Sequence, residues 1–272
     1  MTTLRTPRSL GKTAVTLVTG LVLAVLVVPI ALTFVSSFAQ SATGVVPTGF
    51  VTVEHWRTAL GLTDVGARRG IGSGLWFSVL LATGGMVVNL VVGVPIAYAL
   101  TRYEFRGREW LNTLAVLPLV PGIILGIAFL RTYPDNAGTA FGLVVGYALL
   151  KSPYMVLTVQ SAFQSMDLRQ LEESARSLGA SWPRTFVTVI VPNARGGILA
   201  GSIITWTLAA AEFNFTYMVY TRGPKPFSLF LYENISRAPF LQSAAAISMY
   251  FCLVVAAILV LQTVGRHGFT TT

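Results

Sequence analysis

The chain has 272 residues, of which 54% are hydrophobic and only 11% charged, with a mean hydropathy of +0.70. A soluble domain carries roughly a quarter charged residues, so this composition excludes an ordinary water-soluble globule. The net charge of +9 comes from basic residues scattered along the chain, not gathered into a stripe with aromatics between them, which argues against a nucleic-acid surface.

The first apolar run, about 13–38, follows Arg5, Arg8 and Lys12, and "SFA" at 37–39 has the form of a signal-peptide cleavage site. Its length exceeds the roughly 7–15 residues of a signal-peptide core, so an uncleaved first span is expected. "SLGKT" at 9–13 superficially matches the end of a phosphate-binding loop, but the first glycine of that pattern would fall on Thr6 and no strand precedes it. Lys12 therefore reads as the flank of a span.

Further apolar runs at about 74–100, 110–130, 139–161, 197–220 and 241–264 are each near the roughly 20 residues needed to cross a bilayer. In lipid they must be helices, because every backbone polar group has to be satisfied internally. Pro118 and Pro121 in the third run and Pro153 in the fourth predict kinks. The fourth run also holds Gly138, Gly142 and Gly146 in consecutive G-x-x-x-G steps, which permit close helix contact. No soluble domain remains once these runs are removed. The expected fold is an all-α polytopic membrane protein of six transmembrane helices, forming a single domain over 1–272. Cys252, the lone cysteine, lies in the last run, so neither a disulfide nor a thiolate metal site can be built within the chain.

The positive-inside rule sets the expected orientation. With the N-terminus in the cytoplasm, the inner segments hold Arg5, Arg8, Lys12, Arg102, Arg106, Arg108, Arg169, Arg176, Arg184, Arg195 and Arg266. The outer loops hold fewer: Arg57, Arg68, Arg69, Arg131, Arg222, Lys225 and Arg237. Both termini and the 164–195 loop then lie inside.

That loop contains "LEESARSLGASWPRTFVTVIVP", 171–192, a charged and patterned passage between two apolar runs. Asp167 is placed to cap a helix from Leu168 to Leu178, Gly179 to end it in the left-handed region, and Ser181 to cap a second helix with Pro183 in its first turn. On the first helix Leu171, Ala175 and Leu178 share one face, while Glu172, Glu173 and Arg176 line another. An amphipathic helix of this kind beside a membrane is expected to dock on something.

The passage resembles the cytoplasmic EAA loop of type I ABC importer permeases. Glu173, Ser174 and Ala175 take the first three places, Gly179 the glycine, and Val189, Val191 and Pro192 the apolar-x-apolar-Pro ending, with Ser174 in place of the more usual Ala. The resemblance extends over about 50–262, including "FVTVEHWRTAL", "TRYEFRGREWLNTLAVLPLVPGIILGIAFL" and "KSPYMVLTVQSAF". It implies that Glu172, Glu173, Ser174, Ala175, Leu178, Gly179, Ala180 and Pro192 couple this chain to a separate ATPase. It also implies the partners: an ATPase dimer that carries ATP and Mg, a second permease subunit, expected to be a different chain, and an extracytoplasmic solute-binding protein. This chain would itself hold no cofactor, have no catalytic residues and sit in the bacterial cytoplasmic membrane.

Glu212 is the one acid inside a predicted span, where a charge costs about 2.5–3.5 kcal/mol or more to bury. With Thr205, Ala209 and Thr216 it falls on one helical stripe, which makes Thr205, Glu212, Asn214 and Thr216 candidates to line a translocation path. The alternative is an acid bonded to a neighbouring helix. Lys151 in the fourth run is the opposite charge; it either pairs with Glu212, meets an anionic solute or snorkels to the surface.

The leading function is the permease subunit of an ATP-driven importer working by alternating access. An intramembrane enzyme built on Glu212 would need partner groups, and the sequence offers no H-E-x-x-H, no G-x-S-x-G and only His55 and His267. A stand-alone secondary transporter or channel is the other alternative, though no internal repeat is visible. For the solute, residues 102–232, with "AEFNFTY" and "LFLY", look most like the branch serving polyamines and 2-aminoethylphosphonate. Permeases for sugars or inorganic anions are the alternatives within the family.

Overall fold

Apolar runs with no water to bond their amides satisfy them along the helix axis, and helices dominate this chain. The computed structural model describes residues 8–44, 46–50, 52–60, 70–116, 121–221, 223–234 and 239–267. Its elements are α1 (Arg8–Ser36), β1 (Ala39–Thr43), β2 (Val46–Phe50), α2 (Glu54–Ala59), α3 (Gly70–Arg102), α4 (Arg108–Val116), α5 (Gly122–Thr132) and α6 (Ala140–Gln164). There follow α7 (Leu168–Ser177), α8 (Trp182–Thr185), a π-helical turn (Phe186–Ile190), α9 (Val191–Asn193), α10 (Arg195–Ala210), α11 (Asn214–Val219), α12 (Phe227–Asn234) and α13 (Phe240–His267).

Among the described residues, four helical segments are long and apolar enough to cross a membrane: Lys12–Ser36, Gly72–Arg102, Ala140–Gln164 and Phe240–Thr263. A fifth candidate is a bent pair, Trp182–Asn193 and Arg195–Ala210, which meet at 75°. Six spans were expected, and two of the runs are not continuous helices among the described residues. Within the 110–130 run the described helices are α4 and α5, and Pro121, with an extended ψ of 134°, is the N-cap of α5. Pro118 lies outside the described residues. The 197–220 run breaks at residues 211–213, between α10 and α11. By contrast α6 runs without interruption through Pro153.

By contacts the chain divides into two units, residues 1–68 with 234–250 and residues 69–233 with 251–272. In the first, β1 and β2 form an antiparallel hairpin that the all-helical reading did not anticipate, with Ser41 opposite Thr48. The ring of Phe38 stacks on Trp56 at 5.2 Å, and Trp56 Nε1–H donates to Ser37 Oγ at 3.1 Å, fastening α2 to the end of α1. His55 Nε2 lies 3.1 Å from the carbonyl of Ala39.

In the second unit α3, α6 and α10 pack on one another. One buried cluster includes Val94, Ala97, Tyr98, Met155, Val159, Phe163, Leu168 and Ile190, so the 164–195 loop contributes to the same core as the long helices. Polar ties cross it: Asn89 Nδ2 donates to the carbonyl of Ala148 at 3.0 Å, and Trp206 Nε1–H to Thr83 Oγ1 at 3.1 Å. Each satisfies a group whose burial would otherwise be costly.

Candidate functional site

The loop's first helix starts and stops as its side chains dictate. The backbone N–H of Gln170 donates to Asp167 Oδ1 at 3.0 Å, satisfying one of the first-turn amides. At the other end Gly179 has φ +77°, and paired bonds close the turn: Ala180 N–H to the Ala175 carbonyl at 3.1 Å and Gly179 N–H to the Arg176 carbonyl at 2.8 Å. This is the Schellman arrangement, which needs a left-handed residue at the position Gly179 occupies.

The second helix departs from expectation. Ser181 has the extended backbone of an N-cap, but its side chain accepts no capping bond. The helix also continues well past its first turn, through α8 and the π-helical turn to Asn193. Pro192 has no N–H to give the carbonyl of Thr188, and just before it the ladder shifts, Val191 N–H reaching back to the carbonyl of Phe186. Asn193 Nδ2 donates to the Val189 carbonyl at 2.7 Å. Pro192 thus sits, exposed, at the bend into α10 and does not close a straight segment.

The faces of α7 are also corrected. Leu168, Glu172 and Ala175 are buried, Leu171 is half-buried, and Leu178 is 89% exposed. Two successive acids on a helix lie about 100° apart, so one can face water while its neighbour packs inward. It is Glu173, which pairs with Arg169 at 2.8 Å on the surface beside exposed Ser174. Glu172 is 1% exposed. Its Oε1 accepts from the Tyr98 hydroxyl and from Arg102 Nε, the latter at 3.1 Å, and its Oε2 lies 3.9 Å from Arg176 Nη2. Sequence reading did not pick out Tyr98 and Arg102. The available signal was their spacing of four at the end of a long apolar run, one aromatic hydroxyl and one cation on the same face.

The second cluster surrounds the break after α10. Lys151 Nζ lies 2.5 Å from Glu212 Oε2, and both side chains are largely buried, at 12% and 8% exposure. Glu212 Oε1 accepts the backbone N–H of Phe215 at 3.0 Å, and its carbonyl accepts from Ser228 Oγ at 3.0 Å. The Tyr147 and Thr216 hydroxyls bond each other at 2.6 Å beside it. Of Lys151's three readings, pairing with Glu212 is the one observed. The expected stripe from Thr205 to Thr216 is interrupted, because Glu212 stands in the break; Thr205 is buried with Oγ1 unbonded, Thr216 is buried, and Asn214 is exposed. Glycines let α11 approach this closely: a Cβ on Gly146 would come within 2.0 Å of Phe215 Cζ. The other two glycines of the G-x-x-x-G steps act differently, Gly138 lying before α6 and Gly142 closing on the Asn136 carbonyl. Among the described residues no group of three or more His, Cys, Asp or Glu side chains could hold a metal ion.

Residues 89–267 match the family model of the binding-protein-dependent transport system inner membrane component, and so take in the loop, the Lys151–Glu212 pair, α6, α10 and the latter part of α3. The chain belongs to that family. It is 39% identical over 153 residues to a probable molybdenum ABC transporter permease of Haloferax volcanii, covering 52% of this chain and 56% of that protein. It is 36% identical over 137 residues to a molybdate/tungstate transport system permease of Pyrococcus furiosus, covering 50% and 55%. The match thus spans little more than half the length of these relatives. The fold is similar, with a TM-score of 0.75 at 18% identity over 95% of this chain and 98% of the other, to a chain of a bacterial ABC transporter that imports the acidic polysaccharide alginate.

These relatives correct the expected branch: their names refer to molybdenum and tungsten, not to polyamines or aminophosphonates. Residues 102–232, which carried that expectation, lie wholly inside the family match and report the shared scaffold. Nor does the acid at 212 favour a cationic solute, because Glu212 already has a cation at 2.5 Å.

Proposed function

We propose that this chain is a membrane-spanning permease subunit of an ATP-driven importer for a small oxyanion of the molybdate/tungstate type. It acts as a single permease domain in the cytoplasmic membrane, with both termini inside. The observation that carries the coupling role is Leu178, an apolar side chain 89% exposed at the tip of an ordered, glycine-ended helix pair. Leaving it in water gains nothing, whereas seating it in a groove on an ATPase would remove that area from water. Glu173, Ser174, Gly179 and Ala180 surround the tip on the same loop, and Pro192 marks the bend through which its motion enters α10.

Two such subunits, this one and a second permease, form the path. A dimer of ATPases holding ATP and Mg drives it, and an external binding protein delivers the solute. Asn214, exposed beside the buried pair, is placed nearest the solute. Lys151, Glu212 and Thr216 hold the break between α10 and α11 behind it, and Thr205 is buried within α10. The oxyanion assignment rests on the relatives' names and on the pairing of Glu212 with Lys151, which leaves no unpaired acid there to favour an amine.

The test is to tag the chain, solubilise its native membranes gently and identify what co-purifies, then reconstitute the assembly in vesicles with its binding protein. The expected result is a P-loop ATPase in the assembly and ATP-dependent uptake of molybdate, competed by tungstate and not by spermidine. Solute movement by a chain that purifies without any ATPase would overturn the importer reading; uptake of spermidine in place of molybdate would overturn the solute.

A further inference from the structure

The loop is joined to the long helices by the chain, which runs from α6 into α7 and from α9 into α10, and by the packing of Leu168 and Ile190 in the shared core. A further tie is side-chain contact with α3, and it is concentrated on Tyr98. The Tyr98 hydroxyl donates to Glu172 Oε1, while its ring lies 5.1 Å from Phe186 and 6.2 Å from Trp182, which stack on each other at 5.5 Å. Both helices of the loop therefore converge on one residue, α7 through a carboxylate and its successor through two rings. Arg102, one turn further along α3, adds a second donor to the same oxygen at 3.1 Å.

Packing alone does not call for an acid here. Position 172 is 1% exposed next to a core of Leu168, Phe163 and Val159, where an apolar side chain would avoid the desolvation of a carboxylate. What the carboxylate adds is direction. Its Oε1 is held by two donors from α3, while Oε2 has, among the described residues, only Arg176 of its own helix, at 3.9 Å and without a hydrogen bond. A shift of α7 must then drag the end of α3 or break two bonds to a charged group.

We infer that Glu172 is a positioning residue that links the loop to α3 through Tyr98 and Arg102, so that movement of the loop is delivered to α3 as well as to α10. This rests on the coupling role proposed above. Glu172 acts within the subunit, and Glu173 and Leu178 are the residues left facing outward.

The test uses the complete transporter with its ATPase and binding protein in vesicles, comparing wild type, Tyr98→Phe, Glu172→Leu and the double variant. Tyr98→Phe keeps the ring contacts and removes only the hydroxyl, so it reports the link even where Glu172→Leu assembles poorly. Each variant is expected to keep ATP hydrolysis near the wild-type rate while molybdate moved per ATP falls, by about tenfold in Glu172→Leu, the size expected for losing a charged hydrogen bond. The double variant should fall no further than Glu172→Leu alone, because both changes cut one link. Unchanged uptake per ATP overturns the inference, and so does a proportional loss of hydrolysis and uptake, which a merely structural role would give. A wild-type assembly without ATPase would instead remove the coupling role itself, before any variant is compared.

Discussion

Lys151 of α6 and Glu212, the residue at which α10 gives way to α11, form a largely buried ion pair with 2.5 Å between Nζ and Oε2. The pair joins residues 61 apart in sequence, and the same carboxylate holds the first turn of α11 through the Phe215 amide. Removing one partner leaves the other charge buried and unpaired, at a cost of about 3–5 kcal/mol. Glu212→Gln or Lys151→Met alone should lower the thermal unfolding midpoint of the detergent-solubilised protein markedly. Combining them should cost less than the sum, since the double variant leaves no orphan charge. Additive losses would show that the two side chains act independently.

Gly146 is a packing constraint of a different kind. A methyl group there would sit within 2.0 Å of the Phe215 ring. Gly146→Ala should therefore destabilise by about 1–3 kcal/mol through overpacking, and adding Phe215→Leu should recover part of the loss. Thermal unfolding of the solubilised single and double variants measures this; a Gly146→Ala protein as stable as wild type would contradict the contact.

Gly179 is constrained by backbone and not by space, for its φ is +77° and, among the described residues other than its chain neighbours, no atom lies within 4 Å of the position a Cβ would take. Gly179→Val should cost about 1–2 kcal/mol locally, enough to open the Schellman turn without unfolding the helical core. Circular dichroism should be unchanged while transport and ATPase recovery fall. Full uptake by this variant would remove the loop from the coupling scheme.

Leu178 provides a test that leaves the fold untouched. At 89% exposure its side chain contributes little to the isolated chain, so Leu178→Asp should leave expression and melting temperature unaltered. If it occupies a groove on the ATPase, the charge should cost several-fold or more in association, read by titrating purified ATPase onto the permease in nanodiscs. Equal affinity would place the docking surface elsewhere.

Composition and the length of its apolar runs were enough to make this a largely helical membrane protein, because lipid offers no partner to an unpaired amide; the β1–β2 hairpin was not legible in them. The EAA-like spacing was enough to place the loop in its family, since caps and left-handed glycines act within a few residues of themselves: Asp167 and Gly179 do what their positions predict. The faces of α7 could not be read in the same way. Glu172 and Glu173 are the same residue side by side, and only Tyr98 and Arg102, arriving from more than 60 residues away, decide which one is buried. For Glu212 and Lys151 the sequence offered pairing as one reading among several, and the packing of α6 beside the break selected it. The hydropathy of 110–130 and 197–220 did not reveal where those runs break, because a run of apolar residues records preference for lipid and carries no record of its own continuity. Local chemistry is written in local sequence; the partner that neutralises a buried charge is chosen by tertiary packing.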